Sequence, residues 1–329
     1  MWPVFADPKT DFVFKRIFGS EANKHLLIEL LNSLLELDGG DRITELTYLT
    51  PEQKIPVDEL KLSIVDVKCR DASDRIYVVE MQLFNVEALE KRVVYNVSKS
   101  YVMQIHSGER YMDLTDVVGV TICDFQVWPE PPQPGGPEVP MLSRWRMQEQ
   151  HGGTRGLSEV QYVFLELPKY TAAETPATTV DHWAYFFREA ENFEVIPPAL
   201  AEDPYHAALE VARTSSFTPR EWDAYDRAKI AEQDARGALS LAEHQGETRG
   251  EARGFTRGRQ EGLAEGRKEG LAEGHERGLA HGLRRSVIEV CELLGIELDQ
   301  ERRALLEGMT AGALEDLLAR LKRERRWTE

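Results

Sequence analysis

Leu60-Lys61-Leu62-Ser63-Ile64-Val65-Asp66-Val67-Lys68-Cys69-Arg70-Asp71-Ala72-Ser73-Asp74-Arg75-Ile76-Tyr77-Val78-Val79-Glu80-Met81-Gln82-Leu83-Phe84 is the stretch that decides the fold. Two strings rich in β-branched and aromatic residues, Leu60–Cys69 and Ile76–Phe84, flank a short polar connection, Arg70–Arg75. That pattern predicts two antiparallel strands joined as a hairpin. Side chains alternate along a strand, so Leu62, Ile64 and Asp66 share one face of the first. Ile76, Val78, Glu80 and Gln82 share one face of the second. A turn centred on Ser73 is equally far from Asp66 and Glu80, which sets the two carboxylates opposite each other, with Cβ atoms roughly 5 Å apart. Gln82 follows one same-face step further on.

Each acid ends an apolar run, after Ser63-Ile64-Val65 and after Ile76-Tyr77-Val78-Val79. Two facing carboxylates in such a place raise one pKa or need a cation between them. Carboxylates, a backbone carbonyl and water suit Mg²⁺. Bound Mg²⁺ polarises a phosphoryl oxygen and activates water. Spacing alone leaves a second reading open, a solvent-facing strand pair whose acids are matched by Lys68 or Arg75.

Outward from this hairpin, the chain reads as mixed α/β. Asp7-Pro8 opens a helix carrying Phe12, Phe14, Ile17 and Phe18, and a second helix is predicted over 21–36 from its leucine spacing. A strand is predicted at Ile43–Leu49, a helix over 87–106 and a buried strand at Val117–Phe125. The Pro-Glu-Pro-Pro-Gln-Pro-Gly-Gly-Pro run at 129–137 is a surface excursion. Met141–Gln150 and Glu159–Leu167 read as further strands, and 179–194 and 203–244 as mostly helical. From 246 to 282, ten glycines recur at every fourth position. This stretch reads either as a charged helical tether or as a helix–helix seam. The segment 284–322 returns to leucine-rich helical spacing, with Thr310 as a cap.

At 329 residues, 42% apolar and 29% charged, the chain is not disordered as a whole. It has no apolar run of membrane-spanning length, no basic-then-apolar leader and no paired cysteine spacing among Cys69, Cys123 and Cys291. The expectation is a soluble cytoplasmic protein with no membrane partner. The formal charge of −17 argues against a general polyanion binder, and residues 1–125 carry −7 of it. Nucleic-acid affinity therefore needs a local patch or metal ions. The eight histidines show no ligand spacing, and neither a GxxxxGK[ST] loop nor a GxSxG elbow occurs. No nucleotide cofactor is expected.

Pro8-Lys9-Thr10-Asp11-Phe12-Val13-Phe14-Lys15-Arg16-Ile17-Phe18-Gly19, Ile64-Val65-Asp66-Val67 and Val79-Glu80-Met81-Gln82 resemble the Rpn family. These are the recombination-promoting nucleases, or PD-(D/E)XK nuclease family transposases. The resemblance continues through Arg92-Val93-Val94-Tyr95, Ser98-Lys99-Ser100-Tyr101, Phe164–Tyr170, Trp183-Ala184-Tyr185-Phe186 and the glycine repeat. It implies a restriction-endonuclease-like αβββαβ core with added strands and helices, followed by a long glycine-repeat helical tail. It also implies Mg²⁺-dependent cleavage of DNA, with Mn²⁺ as a substitute, in recombination, mobile-element or defence contexts. Asp66 matches the first metal-binding acid and Glu80 the second, with the Met81 carbonyl as a further donor. Gln82 stands where the wider superfamily has lysine, and a neutral amide stabilises charge less well. A catalytically silent DNA-binding or protein-interaction module on the same fold is the rival expectation.

Arg92 is placed either to clamp a phosphate or to pair with the acids. Tyr95 and Tyr101 follow on the same helix as weaker DNA-binding candidates. Lys15 either forms an i,i+4 surface pair with Asp11 or reaches a phosphate. The expected layout is a nuclease core over 1–128, a core extension over 129–242, a glycine-repeat tether over 243–285 and a C-terminal helical element over 286–329. A homo-oligomer through the helical tail is expected as well.

Overall fold

In the computed structural model, residues 3–53, 63–131, 135–153 and 155–327 are described. The predicted strand residues Leu60, Lys61 and Leu62 lie outside them. By internal contacts the chain divides into Met1–Leu239 and Ser240–Glu329.

The first unit opens with α1 (Asp11–Phe18) and α2 (Lys24–Leu35), the latter preceded by a 3-10 turn at Glu21–Asn23. Then come β1 (Leu46–Tyr48), β2 (Glu52–Gln53), β3 (Ser63–Ile64), β4 (Val67–Asp71) and β5 (Ile76–Gln82). After α3 (Leu89–Val102) and β6 (Val117–Cys123) follow β7 (Leu142–Gln148), β8 (Gly156–Glu166), α4 (Thr179–Glu189) and α5 (Tyr205–Ala212). The main sheet has the order β1-β4-β5-β6-β8-β7. β5, β6 and β8 run parallel to one another, and the remaining pairs are antiparallel. Every residue of β6 is buried, as a central parallel strand covered on both faces requires.

The predicted continuous strand Leu60–Cys69 is corrected by the structure. Ser63–Ile64 pairs with Glu52–Gln53 in a separate two-stranded ladder, and β4 begins only at Val67. The bend at Asp66 lies between the two. The β4–β5 register is Val67 to Val79, Lys68 to Val78, Cys69 to Tyr77 and Arg70 to Ile76, which is the hairpin centred on Ser73. Asp71 builds the turn, its Oδ1 accepting the N–H groups of Ser73 at 2.8 Å and Arg75 at 3.0 Å.

Alternation along β5 feeds two cores. Tyr77, Val79 and Met81 join the larger one with α1, α2, α4 and α5, where Phe14, Phe18, Trp183 and Phe187 stack. Ile76 and Val78 face the other way, against Leu89, Val93 and Val97 of α3. Gly119 of β6 permits this approach, because a Cβ there would strike the Val97 side chain. Close packing against β5 and β6 fixes α3 over the sheet. The Glu166-Leu167-Pro168-Lys169 run also has a structural job. Fully buried Glu166 accepts the N–H groups of Val127 at 2.7 Å and Trp128 at 3.2 Å and pairs with Lys169 at 2.8 Å.

α6 (Pro219–Leu293) begins in the first unit. Lys229 meets Asp7 at 3.2 Å, Glu191 at 3.1 Å and Glu232 at 3.4 Å, and Arg16 pairs with Glu221. The three acids push the Lys229 ammonium's pKa upward against the effect of burial. In the second unit, α7 (Gln300–Gly308) and α8 (Ala311–Glu324) close a small core of Val287, Cys291, Leu306, Leu314, Leu317 and Leu321. Thr310 caps α8 as expected, accepting the N–H of Ala313 at 3.4 Å. No helix among the described residues is long and apolar enough to cross a membrane.

Candidate active site

Asp66, Glu80 and Gln82 meet where β4 begins and β5 ends. Asp66 lies one step ahead of the Val67–Val79 pair, the position opposite Glu80 in the same count. Its Oδ2 accepts the backbone N–H of Met81 at 2.8 Å. Glu80 is 6% exposed, so the solvent-facing alternative does not hold. Its Oε1 accepts from Asn96 Nδ2 at 2.8 Å and its Oε2 from Gln82 Nε2 at 3.1 Å. Gln82 Oε1 in turn accepts from the Arg92 guanidinium. Arg75 pairs instead with Asp116, at 3.5 Å.

Burial dominates the electrostatics. It pushes the Asp66 carboxyl up to about 6, against the Met81 N–H and Lys15, with Asp11 and Glu80 adding to the rise. Glu80 is also raised by burial, opposed by the Asn96 hydrogen bond and by Arg92. Two partly desolvated acids at one strand end make a site primed for positive charge.

Lys15 makes the pair with Asp11 and lies beside Asp66 as well. Its Nζ lies 2.6 Å from Asp11 Oδ1 and 3.9 Å from Asp66 Oδ1. A groove of about 1200 Å³ opens beside it, lined in part by Asp11, Phe12, Leu83, Phe84 and Arg227. Tyr95 is 38% exposed, with the Lys99 ammonium 5.6 Å from its ring centre. Tyr101 is not brought to the site. It packs on the smaller core within electrostatic reach of Asp116 and Glu159, near the N-terminal ends of β6 and β8. The reason is the rise of α3, which carries residue 101 about 14 Å beyond Arg92 along the helix axis.

Two contributors were not singled out from the sequence. Asn96 is buried in α3 and holds Glu80, while its own Oδ1 is buried with no hydrogen-bond partner among the described residues. The signal was a polar residue one turn beyond Arg92, flanked by Val93 and Val97 on an apolar helix face. Asp124 directly follows β6, as Asp66 and Glu80 follow apolar runs. It pairs with Lys9 at 3.2 Å, and its N–H donates to the Gln82 carbonyl at 2.9 Å.

The donor set fits a hard divalent cation, being made of carboxylate oxygens with a strand carbonyl close by. Among the described residues, no three His, Cys, Asp or Glu side chains form a ready-made cage. An ion there would take two carboxylates and complete its shell with carbonyl and solvent oxygens, as magnesium does. A cation would also favour the ionised form of both raised acids.

No curated protein and no solved structure matches the chain. Residues 8–242 match the family described as PD-(D/E)XK nuclease family transposase. This span holds α1, the whole main sheet and both acids. Its mixed α/β architecture, a six-stranded sheet with helices on both faces, fits the PD-(D/E)XK fold. The family supports a nuclease-like function, and PD-(D/E)XK nucleases generally use divalent metals. The chain belongs to the PD-(D/E)XK nuclease family transposases.

Proposed function

We propose that this chain is a Mg²⁺-dependent DNA endonuclease, with Mn²⁺ as an accepted substitute, that hydrolyses phosphodiester bonds in recombination, mobile-element or defence processes. The observation that carries this reading is the pairing of two upward-shifted acids at one strand end, half-buried Asp66 held by the Met81 N–H and buried Glu80 by Asn96. Asp66, Glu80 and the Met81 carbonyl would be the ligands. When bound, the divalent ion supplies charge stabilisation at a phosphoryl oxygen and a more acidic water.

The chain's own groups do the positioning. Gln82, steadied between Glu80 and Arg92, offers an amide that orients the attacking water. Exposed Arg92 and half-buried Lys15 present cations beside the acids for a phosphate. Reading α2, β1, β4, β5, α3 and β6 as the αβββαβ core belongs to the same proposal, supported by the element order. So does the layout of core over 1–128, extension over 129–242, tether over 243–285 and C-terminal element over 286–329, in the cytoplasm.

A second reading, a silent DNA-binding or protein-interaction module, is favoured by one observation. Both polar ends of the Gln82 amide are engaged, the nitrogen donating to Glu80 and the oxygen accepting from Arg92, and no lysine stands at its position. Cleavage of supercoiled plasmid by the full chain with Mg²⁺ separates the two. Nicked or linear product that disappears with EDTA and with Asp66→Ala supports the nuclease. No product from the wild type, or equal product from Asp66→Ala, overturns it.

A further inference from the structure

The groove of about 1200 Å³ beside Lys15 lies within the first unit, bordered by α1, the chain leaving β5 and the start of α6. Much of its lining is apolar. Phe12, Leu83 and Phe84, all half-buried, line it from α1 and the β5 exit, and Ala224, Ala228 and Ala231 line it from α6. These alanines follow helical spacing, so one face of α6 leaves the groove open. Each acid at the groove has a cation of its own. Asp11 meets Lys15 at 2.6 Å, Glu210 meets Arg213 at 2.5 Å, Glu232 meets Arg236 at 2.9 Å, and Glu221 pairs with Arg16. Arg227 differs. It is exposed at the groove and makes no ion pair or hydrogen bond among the described residues. Arg236 adds a further cation, 5.5 Å from the centre of the Phe84 ring. An open apolar hollow with an unspent cation at its edge is the chemistry of a binding site.

We propose that this groove holds an unpaired DNA strand leading away from the scissile phosphate, so that the preferred substrate is DNA with a single-stranded segment beside the cut. The proposal rests on the nuclease reading of Asp66 and Glu80 and names the form of DNA that site takes. Lys15 joins the two places, since it lines the groove and lies 3.9 Å from Asp66. A duplex turns its phosphates and base edges outward and keeps its base faces stacked on one another. It calls for a strongly basic surface, which a groove of matched ion pairs does not offer. An unpaired strand exposes base faces as well as phosphates, and aromatic rings together with a few cations hold it. Here Phe12 and Phe84 supply the rings, and Arg227 supplies the phosphate contact.

The test is fluorescence anisotropy of the full chain with a labelled single-stranded oligonucleotide and with its duplex, in EDTA so that no cleavage is needed. The wild type should bind the single strand roughly tenfold more tightly than the duplex. Phe84→Ala, which removes a ring, and Ala228→Trp, which fills the groove, should each weaken single-strand binding roughly tenfold and leave duplex binding as it was. Arg227→Ala should lower the salt slope of single-strand affinity by about 0.7, the mark of one lost phosphate contact. Circular dichroism checks that each variant is folded. Equal affinity for the two forms overturns the proposal, as do folded Phe84→Ala and Ala228→Trp proteins that bind the strand like the wild type. No binding of the strand, which would leave the groove to a peptide partner, overturns it as well. Strand preference without plasmid cleavage keeps this proposal and overturns the nuclease alone, and cleavage without strand preference does the reverse.

Discussion

Asp66 Oδ2 accepts the backbone N–H of Met81 at 2.8 Å, so the acid ahead of β4 is tied to the residue after Glu80. One hydrogen bond thus sets the spacing of the two carboxylates from opposite strands. Glu80 is held separately, by Asn96 from the helix that covers the sheet. The strand end and the helix therefore have to stay in register with each other for both acids to converge, and four predictions follow from that dependence.

The first concerns pH. In the folded chain Asp66 titrates near 6 instead of its ordinary 3.8, chiefly through burial. Between those values the native state keeps a proton that the unfolded chain has lost, so stability falls as pH rises and levels off above 6. The penalty at pH 7 is on the order of 3 kcal/mol. Urea unfolding in EDTA should show Asp66→Asn more stable than wild type at pH 7, with the gap closing by pH 4. A gap independent of pH would contradict the burial of this acid.

Asn96→Ala should leave the Glu80 carboxylate buried without its 2.8 Å donor. The expected cost is about 1–3 kcal/mol of stability. Cleavage should fall roughly tenfold or more, since a misplaced reacting geometry is costly. Unfolding curves and single-turnover cleavage, read together, check it. An Asn96→Ala protein with wild-type cleavage would show that Glu80 needs no positioning.

Gly119→Ala puts a methyl group into the Val97 side chain and pushes α3 off the sheet. Overpacking of this kind costs about 1–3 kcal/mol. Because α3 also carries Arg92 and Asn96, activity should drop beyond what the stability loss explains. The double variant Gly119→Ala with Val97→Ala should recover both, and thermal melts with plasmid assays would show it.

Arg92→Ala removes the guanidinium that holds Gln82, on an exposed part of α3. Stability should move by no more than about 0.5 kcal/mol. Cleavage should fall roughly tenfold, with Arg92→Lys recovering only part because an ammonium lacks the planar fork. Full activity in Arg92→Lys would mean that charge alone matters there.

The central hairpin was legible because its determinants are local. The turn at Asp71-Ala72-Ser73-Asp74 sets the register, and apolar alternation sets which residues of β5 face each core. The break before Asp66 was not legible, because β-branched residues continue across it and the pairing of Ser63–Ile64 is with Glu52–Gln53, outside the hairpin. Asn96 was hidden for a similar reason. Its role depends on how α3 rotates over β5, which Gly119 of a later strand permits. Tyr101 misled because a shared helix says nothing about which end of the sheet each turn overlies.

The most direct measurement is Mn²⁺ binding by electron paramagnetic resonance, on the wild type, Asp66→Ala and Glu80→Ala, each confirmed folded. Bound ion in the wild type and its loss in both variants is the result expected of two carboxylates sharing one cation. Equal binding in all three proteins, or none in the wild type, would contradict it.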